Sequence, residues 1–418
     1  MNAQSSAARG AARRHHEIGG FVYPGFEPVR DAFIENFTER NELGGACCVY
    51  YRGQKFVDLW GGIRNSSTGE PWLENTMVVV YSATKGLAAM TLALAHSRGW
   101  LDYDEHIARY WPEFAQKGKD AITVRQLLAH QAGLFAFDEP VTKDDIADLD
   151  RLARILARQT PAWPAGSRQS YHALTLGFYE NELLRRIDPK HRSLGQFFDE
   201  EIAGPLGIDC FIRLPKSVSN DRLATLEPPS ALARLRGFPW HLTIDSINPR
   251  SDIHRALIVN PGAGIVLDPE TIYARDLEVP SGGGVTTARA MARAYDVFAT
   301  GGKELGLSPE TLTLLSAPPI PSANGFNDDG LHGEVRFSLG FMRPGTVWRF
   351  GHDASSFGSP GSGGSLGFAD PTLGVGYGYV TSRMGTALTG DPRDVALRTA
   401  LYRVLGKIQA PEPVGSGV

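Results

Sequence analysis

Cysteine is scarce in this chain of 418 residues: there are three, an odd number that cannot pair off completely. Cys47 and Cys48 are neighbours on an expected strand, where successive side chains point to opposite faces. A disulfide framework does not fit this pattern, and a reducing compartment does. Long apolar runs are also missing, since no stretch approaches the roughly 20 residues of a membrane-spanning helix. The first eighteen residues are rich in Ala, Ser, Arg and His and lack the hydrophobic region of a signal peptide. We therefore expect residues 1–18 to be a mobile arm, with His15-His16 a solvated pair rather than metal ligands, and the protein to be cytoplasmic.

A basic excess is absent too. Lys and Arg total 42 against 46 Asp and Glu, a net charge of −4, which argues against nucleic acid and anionic membranes as partners. No set of His, Cys, Asp and Glu has zinc-site spacing, and neither G-x-G-x-x-G nor a P-loop stands between a strand and a helix. No metal and no cofactor are expected. Nothing in the sequence fixes the oligomeric state.

What is present suffices for a large core, with 42% hydrophobic residues and a length that suggests two lobes. Residues 24–40 have helical spacing, with Phe26, Val29, Phe33, Ile34 and Phe37 as the apolar stripe. Residues 45–51 and 54–60 read as strands joined at Arg52-Gly53, a hairpin pattern. From residue 85 to about 315 the pattern is mainly helical. Strand signals return at 334–342, 347–350, 365–369 and 374–383, and an amphipathic helix over 393–405 closes the chain. Strands at both ends with helices between predict an α+β fold: one antiparallel sheet assembled from the two termini and flanked by terminal helices, with a helical lobe inserted. The expected boundaries are 19–84 with 330–418 for the sheet domain and 85–329 for the helical domain. Within the latter, residues 215–280 are expected to form substrate-covering loops.

The chemistry concentrates at Ser82-Ala83-Thr84-Lys85, where the β-branched run 77–81 meets the apolar helix-forming run 86–95. Residues three apart share a helix face, so Lys85 stands one turn above the Ser82 hydroxyl. The serine then occupies a helix N-terminus, whose free N–H groups favour developing negative charge. A serine, an amine and an electropositive cradle are the parts of an activated nucleophile. S-x-x-K also arises by chance in a chain this long, so partners elsewhere must decide.

Those partners follow in order: Val124 to Leu134 containing Leu128-Ala129-His130-Gln131-Ala132-Gly133, Trp163-Pro164-Ala165-Gly166 leading into Tyr171-His172-Ala173, Ser281-Gly282-Gly283-Gly284, and Phe357 to Ser365. With Tyr81 to Gly86 they cover about residues 20 to 405. On these motifs the chain resembles the serine β-lactamase and penicillin-binding-protein superfamily, in the class C β-lactamase-like branch, closest to the family VIII carboxylesterases. The resemblance implies that Tyr171 is a catalytic residue beside Ser82 and Lys85. It also implies that the backbone N–H groups of Ser82 and Ser362 form an oxyanion hole. A free tyrosine titrates near ~10 and a lysine near ~10.4, so burial and mutual proximity must supply a base. Whether Lys85 or Tyr171 takes the proton stays open.

Two departures matter. The lactamase pattern opens its third element with lysine, and here Ser359 stands in that place. The lactamase Tyr-x-Asn is here Tyr171-His172-Ala173, without the amide. Both losses favour a neutral ester over a β-lactam. Ser359, Gly361 and His352 are expected to contact substrate. His130 reads as structural, and Gly363-Gly364-Ser365-Leu366-Gly367 fits G-x-S-x-G but precedes a strand rather than a helix. The expectation is a serine hydrolase acting on a small-molecule ester, with short acyl chains, through an acyl-enzyme on Ser82. The alternatives are a β-lactamase, D-amino-acid peptidase or amidase using the same residues, and further off an acyltransferase or a non-catalytic binding homologue.

Overall fold

The computed structural model describes residues 17–230, 239–257, 277–387 and 390–409. Its frame is an antiparallel sheet built from both ends of the chain, as the pattern of strands predicts. The N-terminal part supplies β1 (Ile18–Val22), β2 (Gly44–Tyr51) and β3 (Gln54–Asn65). The C-terminal part supplies β4 (Arg336–Ser338), β5 (Phe341–Arg343), β6 (Phe357–Pro360), β7 (Leu366–Asp370) and β8 (Val375–Thr381). The order across the sheet is β1-β3-β2-β8-β7-β6-β5-β4, and the short strand Glu70–Pro71 pairs with β3. The seam between the two ends is β2 against β8, running from Val375↔Tyr51 to Thr381↔Gly45.

Local chemistry sets these strands. The β2–β3 turn places Arg52 and Gly53 both at positive φ (50° and 81°), the backbone that a two-residue hairpin requires. The expected single strand over 334–342 is instead a second hairpin, because Leu339 and Gly340 also adopt positive φ (53° and 86°). Residues 347–350 form no strand. Of the expected arm, residues 1–16 lie outside the described residues, and Ile18 already pairs with Gly61 in β1. Within 215–280, residues 231–238 and 258–276 lie outside the described residues, while Trp240–Ile247 and Asp252–Leu257 are short helices.

Each face of the sheet carries its own core. On one face, α1 (Glu27–Glu39) and the closing helix pack Val29, Phe33, Leu397 and Leu401 against Cys47, Phe368 and Tyr377. On the other lie α2 (Thr84–Ser97), α3 (Thr175–Ile187) and α4 (Ala288–Ala299), with Cys48 turned toward them. The adjacent cysteines thus split between the two cores, and all three cysteines are free and buried. Helix α4 lies directly on the strands because Gly376 and Gly378 leave room for it. A Cβ at either position would come within 2.4 Å of α4 backbone. No helix among the described residues is long and apolar enough to cross a membrane.

One buried polar knot binds the ends together. Arg393, at the start of helix α5 (Pro392–Gln409), donates to Glu42 (3.1 Å), to both oxygens of Asp391 (2.9 and 2.7 Å) and to Thr381 (3.0 Å). It also donates to the Gly363 carbonyl at 3.1 Å, in the turn that follows β6. Tyr379 and Thr381 donate to Glu42, and Asn36 on α1 donates to the Arg393 carbonyl. Removing one member strands a buried charge, which costs far more than losing an exposed pair. Arg393→Ala is expected to lower the unfolding free energy by about 3–5 kcal/mol in denaturant titration.

Candidate active site

The run 77–81 enters the site mostly as extended chain, and only Val78–Val79 pair as a strand, with Val285 and Thr286. A single tight turn, Tyr81–Ala83, then feeds α2. Tyr81 takes φ +44°, a left-handed conformation that is strained for an aromatic residue. The Thr84 hydroxyl donates to the Tyr81 carbonyl and accepts from Gly284 N–H (2.8 Å), which holds the turn in place. Ser82 projects from this turn at the N-terminal end of α2, where backbone N–H groups have no intrahelical acceptor.

Lys85 meets Ser82 from the first turn of α2, with Nζ 3.2 Å from Oγ. The same Nζ donates to the carbonyls of Ala173 (2.7 Å) and Ser281 (2.9 Å). Two acceptor-only oxygens therefore use two N–H bonds and leave the third position of the nitrogen facing the serine. As an ammonium that position donates to Oγ; as an amine it offers a lone pair to the serine proton. The lysine is buried, and its nitrogen lies 4.8 Å from the Tyr171 ring centroid.

The Tyr171 hydroxyl donates to Ser82 Oγ at 2.8 Å. Its backbone is clamped on both sides. Tyr171 N–H donates to Asp328 Oδ1 (3.2 Å), and His172 N–H donates to His130 Nδ1 (2.8 Å). The His172 ring donates from Nδ1 to the Ser170 carbonyl (2.7 Å) and accepts at Nε2 from Leu134 N–H (3.0 Å). That pairing needs the neutral tautomer, and burial lowers His172 to about 4 and His130 well below the ordinary histidine value. Phe337 stacks on Tyr171 with ring planes 10° apart. The two histidines thus brace the tyrosine and lie behind it, in keeping with a structural His130.

Strand β6 closes the far side. Ser359 Oγ donates to the Ser82 carbonyl at 2.7 Å, so its hydroxyl ties β6 to the turn that bears Ser82. A Cβ on Gly361 would lie 2.0 Å from the Val80 carbonyl, so only glycine lets β6 and this turn touch. Ser362 follows in the turn, and its N–H is unpaired among the described residues. His352 is not brought to the site. Its ring stacks on Tyr402 of α5, on the opposite side of the sheet, and its N–H donates to Asp370 (2.7 Å). The expectation that His352 contacts substrate is therefore corrected: the chain between β5 and β6 carries it to the closing helix. Ser365 is buried where β7 begins, and no helix follows it, so the G-x-S-x-G match stays a coincidence.

Sequence reasoning missed the carbonyls of Ala173 and Ser281, whose roles are made by main chain. The Ser281-Gly282-Gly283-Gly284 run was the available signal. Gly177 N–H donates to Ser281 Oγ at 2.7 Å, and there is no room for a side chain at Gly177. Sequence reasoning also missed Asp328, 157 residues from Tyr171 in the chain.

A family model described as Beta-lactamase matches residues 30–401. The protein named Esterase/beta-lactamase LipL of Mycobacterium tuberculosis is 32% identical over 373 residues, covering 88% of this chain and 83% of LipL. A crystal structure described as a family VIII carboxylesterase superposes with a TM-score of 0.81 at 34% identity, covering 93% of this chain and all of the other. A penicillin-binding-protein homologue from Caulobacter crescentus gives 0.80 at 35%, with the same coverage.

Gly361→Ala is expected to leave the protein folded and to lower kcat by about 10²-fold, because β6 and the turn bearing Ser82 must separate. Steady-state kinetics beside a circular dichroism spectrum check this.

Proposed function

Since the chain belongs to the β-lactamase family, we propose that it is a carboxylesterase-type serine hydrolase whose acyl-enzyme forms on Ser82. One observation carries the reading: Ser82 Oγ lies within hydrogen-bond distance of both Lys85 Nζ (3.2 Å) and Tyr171 OH (2.8 Å). In this reading Oγ bonds to the substrate carbonyl carbon as its proton passes to the Lys85/Tyr171 pair. The N–H groups of Ser82 and Ser362 receive the oxyanion, in line with the unpaired Ser362 amide and the helix-end position of Ser82. Collapse breaks the ester C–O bond, and the pair returns the proton to the leaving alkoxide. Water, activated by the same pair, then releases the acid and restores Ser82.

The neutral surroundings support an ester. Where the lactamase pattern has lysine, Ser359 is neutral and occupied by the Ser82 carbonyl. Where it has an asparagine amide, Ala173 offers Lys85 only a carbonyl. The relatives named above as esterase and carboxylesterase point the same way. Small-molecule esters with short acyl chains are the substrates we assign, and three buried free thiols fit a cytoplasmic setting. LipL's double name, esterase and β-lactamase, keeps lactam hydrolysis by the same residues as the second reading.

Ser82→Ala is expected to lower kcat on p-nitrophenyl acetate by about 10⁴-fold or more and to abolish labelling by a fluorophosphonate. The wild type should hydrolyse this ester faster than a chromogenic cephalosporin, and faster than p-nitrophenyl palmitate. A cephalosporin rate well above the ester rate would instead select the second reading.

A further inference from the structure

Glu180 on α3 is fully buried, and neither of its carboxyl oxygens has a hydrogen-bond partner. A buried carboxyl with no donor is costly and needs an explanation. Its place supplies one. A Cβ on Gly340 would stand 3.1 Å from Glu180 Oε1 and 2.7 Å from the Cβ of Ala89, which lies one helical turn beyond Lys85 on α2. The carboxyl therefore lies beside α2 about one turn beyond Lys85. Among the described residues, Lys85 from α2 acts on it electrostatically, and it acts in turn on Tyr103 from the segment after α2. The Tyr103 hydroxyl is itself buried and unpartnered. The turn at Leu339-Gly340 brings no charge.

Lys85 spends two N–H bonds on carbonyls, so the third position decides its chemistry, and a charge near its helix biases that choice. We propose that Glu180 is a positioning residue that acts through Lys85: while protonated it leaves the lysine free to give up its own proton and so take that of Ser82, and once ionised it holds the lysine as ammonium. This rests on the assignment of Ser82, Lys85 and Tyr171 to catalysis made above. Burial without donors pushes Glu180 up to about 8, with the nearby lysine opposing the shift, so the carboxyl is neutral at pH 7 and ionises in the alkaline range.

The test measures kcat/KM for p-nitrophenyl acetate from about pH 6 to 9.5 in wild type, Glu180→Gln and Glu180→Leu, with Ser82→Ala as control. The ratio of either variant to wild type should rise about tenfold between about pH 7 and 9.5, as the wild-type carboxyl ionises. A ratio that stays flat or falls in both variants overturns the proposal, whatever the absolute rates. Should Ser82→Ala retain turnover, the catalytic assignment fails instead, so the two failures are separable. A second readout covers a variant that folds poorly. The unfolded chain releases the Glu180 proton near the ordinary glutamate value of 4.5, whereas the folded chain holds it to about 8. Wild-type stability must therefore fall relative to Glu180→Leu as pH rises through that window. Parallel denaturation midpoints across it would overturn the proposal by showing a carboxyl with partners.

Discussion

Everything in the site depends on burying one amine. Lys85 belongs to a helix buried from Thr84 to Ala95, and its nitrogen lies where bulk solvent does not satisfy it. Three oxygens do so instead, from residues 3, 88 and 196 positions away. An ammonium in low dielectric is tolerable only when such acceptors are fixed in advance. The chain fixes them with main chain: the Ala173 carbonyl beside Tyr171, and the Ser281 carbonyl in a glycine run packed against α3. The need to satisfy the lysine thus brings the tyrosine segment, the glycine run and the serine turn into register. Catalytic geometry follows from a desolvation problem.

The turn that holds Ser82 shows the complementary constraint. Tyr81 is held in a left-handed conformation by tertiary contacts: Thr84 on its carbonyl, Ser359 on the carbonyl of Ser82, and Gly361 against Val80. None of these touches a reacting atom. They fix the position of the Ser82 hydroxyl and N–H group, and in the reading proposed above this is the point where an ester carbonyl meets nucleophile and N–H donors together. The exchange of a lysine for Ser359 is instructive here. In place of a charged side chain, the hydroxyl at this position bonds the Ser82 carbonyl and braces the turn.

Much of this was legible in the chain of letters. Local patterns with one dominant period carried well: the hairpin at Arg52-Gly53, the opposite facing of Cys47 and Cys48, the apolar helix after Lys85, and the closing helix. The Ser82–Lys85 pairing was readable because helical spacing alone sets it. Tyr171 was not readable from spacing, since a helix-start aromatic is ordinarily core, and only its likeness to a family brought it in. Failures share a cause. His352 stands in a glycine-rich stretch near β6, but a loop's direction is decided by what it packs on, here Tyr402. The strand expected over 334–342 broke because positive φ at Leu339 depends on tertiary contact, not on leucine's preference. Main-chain carbonyls leave no trace in side-chain identity, which hid Ala173 and Ser281. Glu180 was passed over because an acid inside a helical run reads as solvent-facing.

The knot around Arg393 has a meaning for how the molecule comes into being. The turn bearing Ser362 is tethered, through the Gly363 carbonyl, to a side chain thirty residues later, and the strand before it joins a sheet completed by β2 from the other end of the chain. During synthesis, Ser82, Lys85 and Tyr171 all emerge long before that side chain exists. The turn bearing Ser362 is thus anchored only once the last helix has been made, long after the segments that carry Ser82, Lys85 and Tyr171.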